Sequence, residues 1–207
     1  MCSFGRTDNV DYINYVNKIR WISYYHQIDE ILAYNPKNIL EIGAGMGVLG
    51  VVCKNIMGIN YTSIDNDENL NTDFTGSVIS LPFSDNSYEL VCCFQVLEHL
   101  PFEDFDKAFS EICRVAEKAV IISLPNASKH FRFHFSFGNI NIFLKRIFFS
   151  RQRMSKYHFW EINQKGYKEK MIKEKINEIA GRFNFKMVKD YRVVDNRYHH
   201  FFILEAL

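Results

Sequence analysis

Residues 39–50 read Ile-Leu-Glu-Ile-Gly-Ala-Gly-Met-Gly-Val-Leu-Gly. Ile39, Leu40 and Ile42 around Glu41 have the branched, apolar character of a buried strand. Gly43, Gly45 and Gly47 follow at alternate positions, and a helix is expected over 46–57 with Val48, Leu49, Val51 and Val52 as its apolar face. Four of the chain's ten glycines fall in this one segment, so backbone freedom is concentrated there. A strand, a glycine-rich turn and a helix N-terminus form a cradle that a ligand can approach closely.

The spacing narrows the ligand. The dinucleotide fingerprint places its third glycine three residues after the second, and here that position is Val48. The pattern present is acidic-x-Gly-x-Gly-x-Gly, with Glu41 two residues before Gly43. A carboxylate is well matched to a cationic group and poorly matched to a pyrophosphate. A nicotinamide oxidoreductase is therefore disfavoured.

Length and charge set wider bounds. At 207 residues the chain fits one elaborated domain with a substantial core. A formal net charge of +1 gives no bulk electrostatic reason for nucleic acid binding. No apolar run reaches the roughly 18 residues of a membrane span, and the N-terminus lacks a basic start followed by an apolar stretch. The five cysteines lack metal-ligand spacing, and Cys92-Cys93 sits in an apolar run, where both read as small hydrophobes. These features describe a reduced, cytoplasmic protein.

Along the chain, Tyr12, Val16, Ile19, Ile22, Ile28, Ile31 and Leu32 recur at helical spacing, and Asn35-Pro36 ends that N-terminal helical segment, 10–36. Strands are predicted at 38–42, 61–65, 77–81, 88–94 and 119–124, with an amphipathic helix through Phe105, Ala108, Phe109, Ile112 and Val115. This alternation over 38–126 predicts a doubly wound α/β fold with a mostly parallel sheet. Residues 127–165 break the alternation: they are aromatic and basic, running through Phe131-Arg132-Phe133-His134-Phe135-Ser136-Phe137 and Lys145-Arg146. The remainder, 166–207, predicts a helix over 167–180 capped by Gly181 and an antiparallel strand pair, 184–194 and 198–206.

Three further segments arrive in order behind the glycine loop. Asp65 ends the second strand; Leu81-Pro82-Phe83-Ser84-Asp85-Asn86-Ser87-Tyr88 precedes the fourth; Val96-Leu97-Glu98-His99-Leu100-Pro101 follows it. Together with the loop they resemble the class I S-adenosylmethionine-dependent methyltransferases of the small-molecule type. The resemblance spans residues 39–126 and implies a seven-stranded Rossmann-like sheet with an antiparallel C-terminal strand. It also implies S-adenosylmethionine as methyl donor and S-adenosylhomocysteine as product. Glu41, Gly43, Ala44, Gly45 and Gly47 then surround the methionine part of the cofactor. Asp65 accepts the ribose hydroxyls and Ser77 takes the adenine position, with Asn66, Val78, Phe94 and Gln95 as further cofactor-binding candidates. Ser77 departs from the family's Asp at the adenine position, leaving a weaker hydroxyl acceptor there.

Gln95-x-x-Glu98-His99 departs as well. Quinone-type O-methyltransferases carry a metal-binding Glu-x-x-Glu-His at this place, and one carboxylate with one His is a thin set for Mg²⁺. No metal is expected, and Glu98 and His99 are read as organising the loop. Catalytic candidates are His158, in His158-Phe159-Trp160-Glu161, and His99; His199 and His200 read as packing residues. The expected reaction is methyl transfer to a small-molecule or lipid-/glycan-linked acceptor, at oxygen. A non-catalytic cofactor-binding scaffold and an RNA methyltransferase are the alternatives. The aromatic insertion is expected to cap the acceptor site, with dimerisation or weak membrane-surface contact as its other uses.

Overall fold

The computed structural model describes residues 17–137, 140–148 and 155–207, and between 129 and 148 only the backbone path. Seven strands form one sheet in the order β3-β2-β1-β4-β5-β9-β8. They are β1 (Asn38–Ile42), β2 (Asn60–Asp65), β3 (Phe74–Thr75), β4 (Tyr88–Phe94), β5 (Ala116–Pro125), β8 (Phe185–Arg192) and β9 (His199–Ala206). The first five are parallel, and β9 runs antiparallel to both β5 and β8. Four helical segments flank the sheet: α1 (Lys18–Tyr34), α2 (Val48–Val51, continued by a wider π turn over Val52–Ile56), α3 (Phe105–Val115) and α4 (Glu169–Arg182). This is the predicted doubly wound α/β architecture. Among the described residues no helix is long and apolar enough to cross a membrane.

Strand alternation divides the core in two. Leu40, Ile42, Val91, Cys93, Val120, Ile122, Phe202 and Leu204 face one side and pack with α3 and α4. Ile39, Leu90, Cys92, Ile121, Phe201 and Ile203 face the other, with Ile31 of α1 and Leu49 of α2. Cys92 and Cys93 therefore lie on opposite faces as buried free thiols, which burial pushes well above the usual range. They act as small apolar side chains, as expected.

Four local expectations need correction. The strand at 77–81 is a loop; the edge strand is the two-residue β3 just before it. The reason is visible in α3. Glu111 accepts from the Leu81 N–H (2.8 Å), while the Arg114 guanidinium donates to the carbonyls of Leu81 (3.1 Å) and Phe83 (2.8 Å). Side chains of a helix satisfy the backbone that a neighbouring strand would otherwise have paired. Second, Val51 of α2 faces solvent (57% exposed), and the inward positions are Leu49, Gly50 and Cys53. Gly50 is buried because Tyr61 crosses it, with a ring carbon 2.8 Å from where a Cβ would stand. Third, Gly181 lies inside α4, and Asn184 takes the left-handed turn after it. Last, the antiparallel pair is shorter than predicted, and 193–198 form its turn.

The insertion contains an antiparallel hairpin, β6 (Lys129–Phe137) with β7 (Ile140–Phe148), paired as a separate two-stranded sheet. The expected dimer or membrane role rests on side chains there, which lie outside the described part. The insertion's return strand of chain is firmly held. Ile162 donates to the Pro125 carbonyl and accepts from the Ala127 N–H (both 2.9 Å), and Phe159 donates to the Glu98 carbonyl (2.9 Å). Trp160, fully buried, packs edge-on against Phe102 and Phe105.

The aromatic core beneath that strap gives a direct stability test. Phe109 is fully buried and stacks on Phe105 with ring centroids 5.7 Å apart. Phe109→Ala should cost about 3–5 kcal/mol in urea unfolding with the m-value unchanged. Val51→Ala, on an exposed face, should stay within about 0.5 kcal/mol.

Candidate active site

A cavity of about 430 Å³ opens where β1, β2 and β4 end, at the switch point of the sheet. The glycine turn forms its floor. Gly43, Gly45 and Gly47 all take left-handed φ values, at 75°, 54° and 72°. A Cβ on Gly43 would stand 2.2 Å from Val96 Cγ2, whereas one on Gly45 would meet no protein atom within 4 Å. The first glycine lets two chain segments touch; the second leaves space in the cavity.

Ten of the eleven predicted cofactor residues line this cavity: Glu41, Gly43, Ala44, Gly45, Asp65, Asn66, Ser77, Val78, Phe94 and Gln95. Gly47 does not; it is the N-cap of α2, and its N–H donates to the Ala44 carbonyl (2.9 Å). Asp65 fixes the turn from below, accepting from the Gly45 N–H (3.1 Å) and the Asp67 N–H (3.2 Å). Each of its oxygens keeps a lone pair for a further donor. Gln95, at φ 57°, turns its amide to the Ser123 hydroxyl (3.2 Å).

Glu41 is buried and receives a hydrogen bond from the Tyr61 hydroxyl. Burial pushes its carboxyl up to about 8; the Tyr61 bond opposes this, and the Asp65 charge adds to it. A carboxyl held on the edge of ionisation in a cavity wall is suited to a cation such as an ammonium.

The opposite wall comes from 95–100 and 156–159, which brings His99 and His158 together with ring centroids 4.8 Å apart at 87°. His99 Nδ1 lies 3.0 Å from the Tyr157 carbonyl, which can only accept, so this nitrogen carries the hydrogen. Burial lowers the His99 pKa, with His158 reinforcing the shift, and the ring is neutral near pH 7. His158 Nδ1 lies 2.8 Å from Glu161 Oε1, which also accepts from the Tyr198 hydroxyl (2.7 Å). Burial works against the Glu161 charge, but these bonds hold its pKa below the usual value. In neutral form both rings thus carry their hydrogen on Nδ1 and leave the Nε2 lone pair free.

Glu98 lies behind the two imidazoles, fully buried. Burial pushes its carboxyl up to about 8, and the Glu161 charge adds to that. One donor atom from each of Glu98, His99 and His158 falls within 4.8 Å of the others.

Sequence reasoning missed the contribution of α1. Arg20, Ser23, Tyr24 and Gln27 line the cavity, and Ser23, Gln27 and Glu30 are buried. Buried polar side chains at i and i+4, Ser23 and Gln27, mark the helix face turned to the cavity, and that spacing was readable; Glu30 turns instead to Lys189 (2.6 Å). His199 also reaches the cavity; burial, reinforced by Arg20, lowers its pKa to about 3, so it stays neutral.

The sheet order, the glycine turn and a carboxylate at the end of β2 define the class I Rossmann-like methyltransferase fold. Residues 40–124 match a family described as the methyltransferase domain. Solved structures agree in fold. The chain is similar to magnesium protoporphyrin IX methyltransferase from Synechocystis PCC 6803 with bound S-adenosylmethionine: 14% identity, TM-score 0.57, covering 93% of this chain and 85% of that one. It is similar to the methyltransferase domain of bacterial CtHen1-C: 13% identity, TM-score 0.64, covering 91% and 99%. It is also similar to an S-adenosylmethionine-dependent methyltransferase from Clostridium acetobutylicum ATCC 824: 11% identity, TM-score 0.57, covering 92% of each. No curated protein matches the chain.

Two predictions follow the cavity's two chemistries. Ionised Glu41 is the form that attracts a cofactor ammonium, and with a carboxyl near 8 that form grows as pH rises. Cofactor affinity should climb by up to about tenfold per pH unit from 6 and level off above 8, with proton release on binding. Calorimetry in buffers of different ionisation enthalpy reads this directly, and Glu41→Gln should flatten the profile. The glycines should separate by readout. Gly43→Ala should lower the unfolding midpoint most, through the Val96 clash. Gly45→Ala should cost only about 1–2 kcal/mol of stability but weaken S-adenosylhomocysteine at least about tenfold, because its methyl enters the cavity.

Proposed function

We propose that this chain is an S-adenosylmethionine-dependent methyltransferase and that it transfers the methyl group to an oxygen of a small-molecule or lipid- or glycan-linked acceptor. The observation that carries the reading is the pair of imidazoles in the cavity wall, each with Nδ1 tied down and Nε2 left as a free base. Methyl transfer from a sulfonium is an in-line displacement, and the bound cofactor supplies its electrophilic carbon. The protein's part is to seat the nucleophile, exclude water and make the oxygen electron-rich. A hydroxyl facing Nε2 of His158 or His99 shares its hydrogen with a lone pair, which raises the charge on oxygen as the new bond forms. Amine nucleophiles, uncharged when reactive, need no such base.

The rim beside the imidazoles favours an acceptor with an apolar body. Tyr157 and Phe159, 47% and 57% exposed, line the cavity next to His158. Large exposed aromatics at a cavity mouth offer apolar contact at small entropic cost. Ser77, weaker than the family's usual carboxylate, still lines the cavity with Val78. This supports binding of the adenine end, which a catalyst and an idle scaffold both require.

The test uses methyl-labelled cofactor with a panel of hydroxyl-, carboxyl- and amine-bearing acceptors that share an apolar body. Label should pass to oxygen, and His158→Ala should lower kcat at least about 100-fold while S-adenosylhomocysteine affinity stays within about twofold. Transfer to amines alone would overturn oxygen as the acceptor atom. Tight product binding with no transfer to any acceptor would favour the scaffold reading.

A further inference from the structure

The first turn of a helix carries unsatisfied N–H groups and the positive end of the dipole, so it favours acidic side chains. The start of α1 breaks that rule: its first turn holds Lys18 and Arg20 and no acidic residue. The helix is nevertheless fixed at this end, because the Asn17 side chain accepts from the Arg20 N–H (3.2 Å). Arg20 is half-buried and lines the cavity, one helical turn before Tyr24 on the same face. A cation held against the dipole in a cavity wall is a local cost that an anionic ligand offsets.

The charges of the cavity are sorted along the sheet. Among the described lining residues the carboxylates are Glu41 and Asp65, on β1 and β2, where the cofactor residues gather. The formal cations, Arg20 and Lys156, stand elsewhere. Asn196, in the turn before β9, donates to the Ser23 hydroxyl (2.7 Å) and the Ile19 carbonyl (3.4 Å), which ties the start of α1 beside β9. In the sheet β9 lies beyond β5, on the side of β4 away from β1 and β2. Arg20 lies near enough to His199, the first residue of β9, to act on its ionisation, and the Tyr198 hydroxyl next to it is 3.3 Å from His158 Nδ1. Lys156 precedes His158 by two positions, with its ammonium 4.6 Å from the Tyr157 ring centroid. Both cations thus flank the imidazoles. The same wall is incomplete on its own. Gln27 and His199, 5% and 8% exposed, line it, and neither Gln27 Oε1 nor His199 Nδ1 meets a hydrogen-bond partner among the described residues. Buried polar atoms are rarely left so, and a ligand seated in the cavity completes them.

We propose that Arg20 and Lys156 form a subsite for an anionic group, a carboxylate or a phosphate, carried by the methyl acceptor. The role of the subsite rests on the oxygen-acceptor reading above; its affinity for an anion does not. The Arg20 guanidinium is a planar fork that takes two oxygens of either group at once, whereas Lys156 adds an exposed, mobile point charge. Tyr24 brings a phenol hydroxyl to the same wall. Tyr157 and Phe159, between and beside these groups, take the apolar body of the acceptor. The acceptor is then an amphiphile with three parts: an anion, an apolar body and a hydroxyl. Holding the first two against the cavity wall fixes the third at the free Nε2 atoms of the imidazoles, which converts binding energy into orientation.

The test uses the full chain saturated with S-adenosylhomocysteine and three probes that share an alkyl body: octanoate, octyl phosphate and octanol. Calorimetry should show at least one of the anions binding about tenfold or more tighter than octanol, with an advantage that shrinks as salt is raised. The tighter anion names the charged group of the acceptor. Arg20→Gln should weaken that anion at least about tenfold and Lys156→Gln, on an exposed side chain, about threefold, with octanol binding unchanged in both. Arg20→Lys should recover part of the loss through its charge. S-adenosylhomocysteine should stay within about twofold of wild type in every variant. Lys170→Gln, on an exposed side chain of α4, should bind all three probes as wild type does. Octanol binding as tightly as both anions, or an advantage that survives in both Arg20→Gln and Lys156→Gln, overturns the subsite. So does a loss of about tenfold in S-adenosylhomocysteine affinity in Arg20→Gln, which assigns that arginine to the cofactor's own carboxylate. Because Lys156 is exposed, its variant decides alone if Arg20→Gln does not fold. An anion advantage retained with no transfer to any hydroxyl acceptor would instead overturn the oxygen-acceptor reading and leave the subsite standing.

Discussion

The tightest approach at any described glycine is the contact between Gly43 and Val96. The turn after β1 passes so near the loop after β4 that a β-carbon on Gly43 would fall 2.2 Å from a Val96 methyl. That approach needs both the missing side chain and a left-handed φ, and glycine supplies both without strain. Its consequence reaches both walls of the cavity. It brings Glu41 and the glycine turn within one cavity of Gln95 and His99. The loop after β4 is then held from its far side, where Phe159 donates to the Glu98 carbonyl. Through that bond the return of the insertion, with His158 and Glu161, is docked against the loop.

The parts of this arrangement legible in the sequence were those with a local cause. A buried parallel strand must be apolar on both faces, so β1, β4 and β5 announced themselves, and β4 was placed to the residue. The glycines marked their turn because the backbone conformation there has few other solutions. Ser77–Leu81 misled for the same reason in reverse. Its apolar ends look like a strand, but Glu111 and Arg114, some 30 positions later, take its hydrogen bonds. A residue pattern cannot show a competitor for backbone pairing that arrives from a distant helix.

The site divides along the same line. Cofactor contacts cluster at strand ends, whose places follow from the fold, and ten of eleven expected residues line the cavity. The α1 contribution was coded in the spacing of Ser23 and Gln27, but apolar periodicity drew attention to the other face. The pairing of His99 with His158 was invisible to local counting. His158 enters it from 59 positions further on, after the hairpin, and only the bonds of Phe159 and Ile162 bring it back.

Glu41 and Glu98 are both buried carboxyls that their surroundings push up to about 8, yet the protein treats them differently. Glu41 has a hydroxyl donor in Tyr61, so it can wait in either protonation state until an ammonium arrives. Glu98 has no side-chain donor among the described residues and sits beside Glu161, whose charge opposes its own. The same burial thus leaves one carboxyl with a hydroxyl partner and the other with a neighbouring charge of its own sign. What separates them is the neighbour: a hydroxyl donor stabilises the carboxylate form, whereas a second carboxylate favours the protonated one.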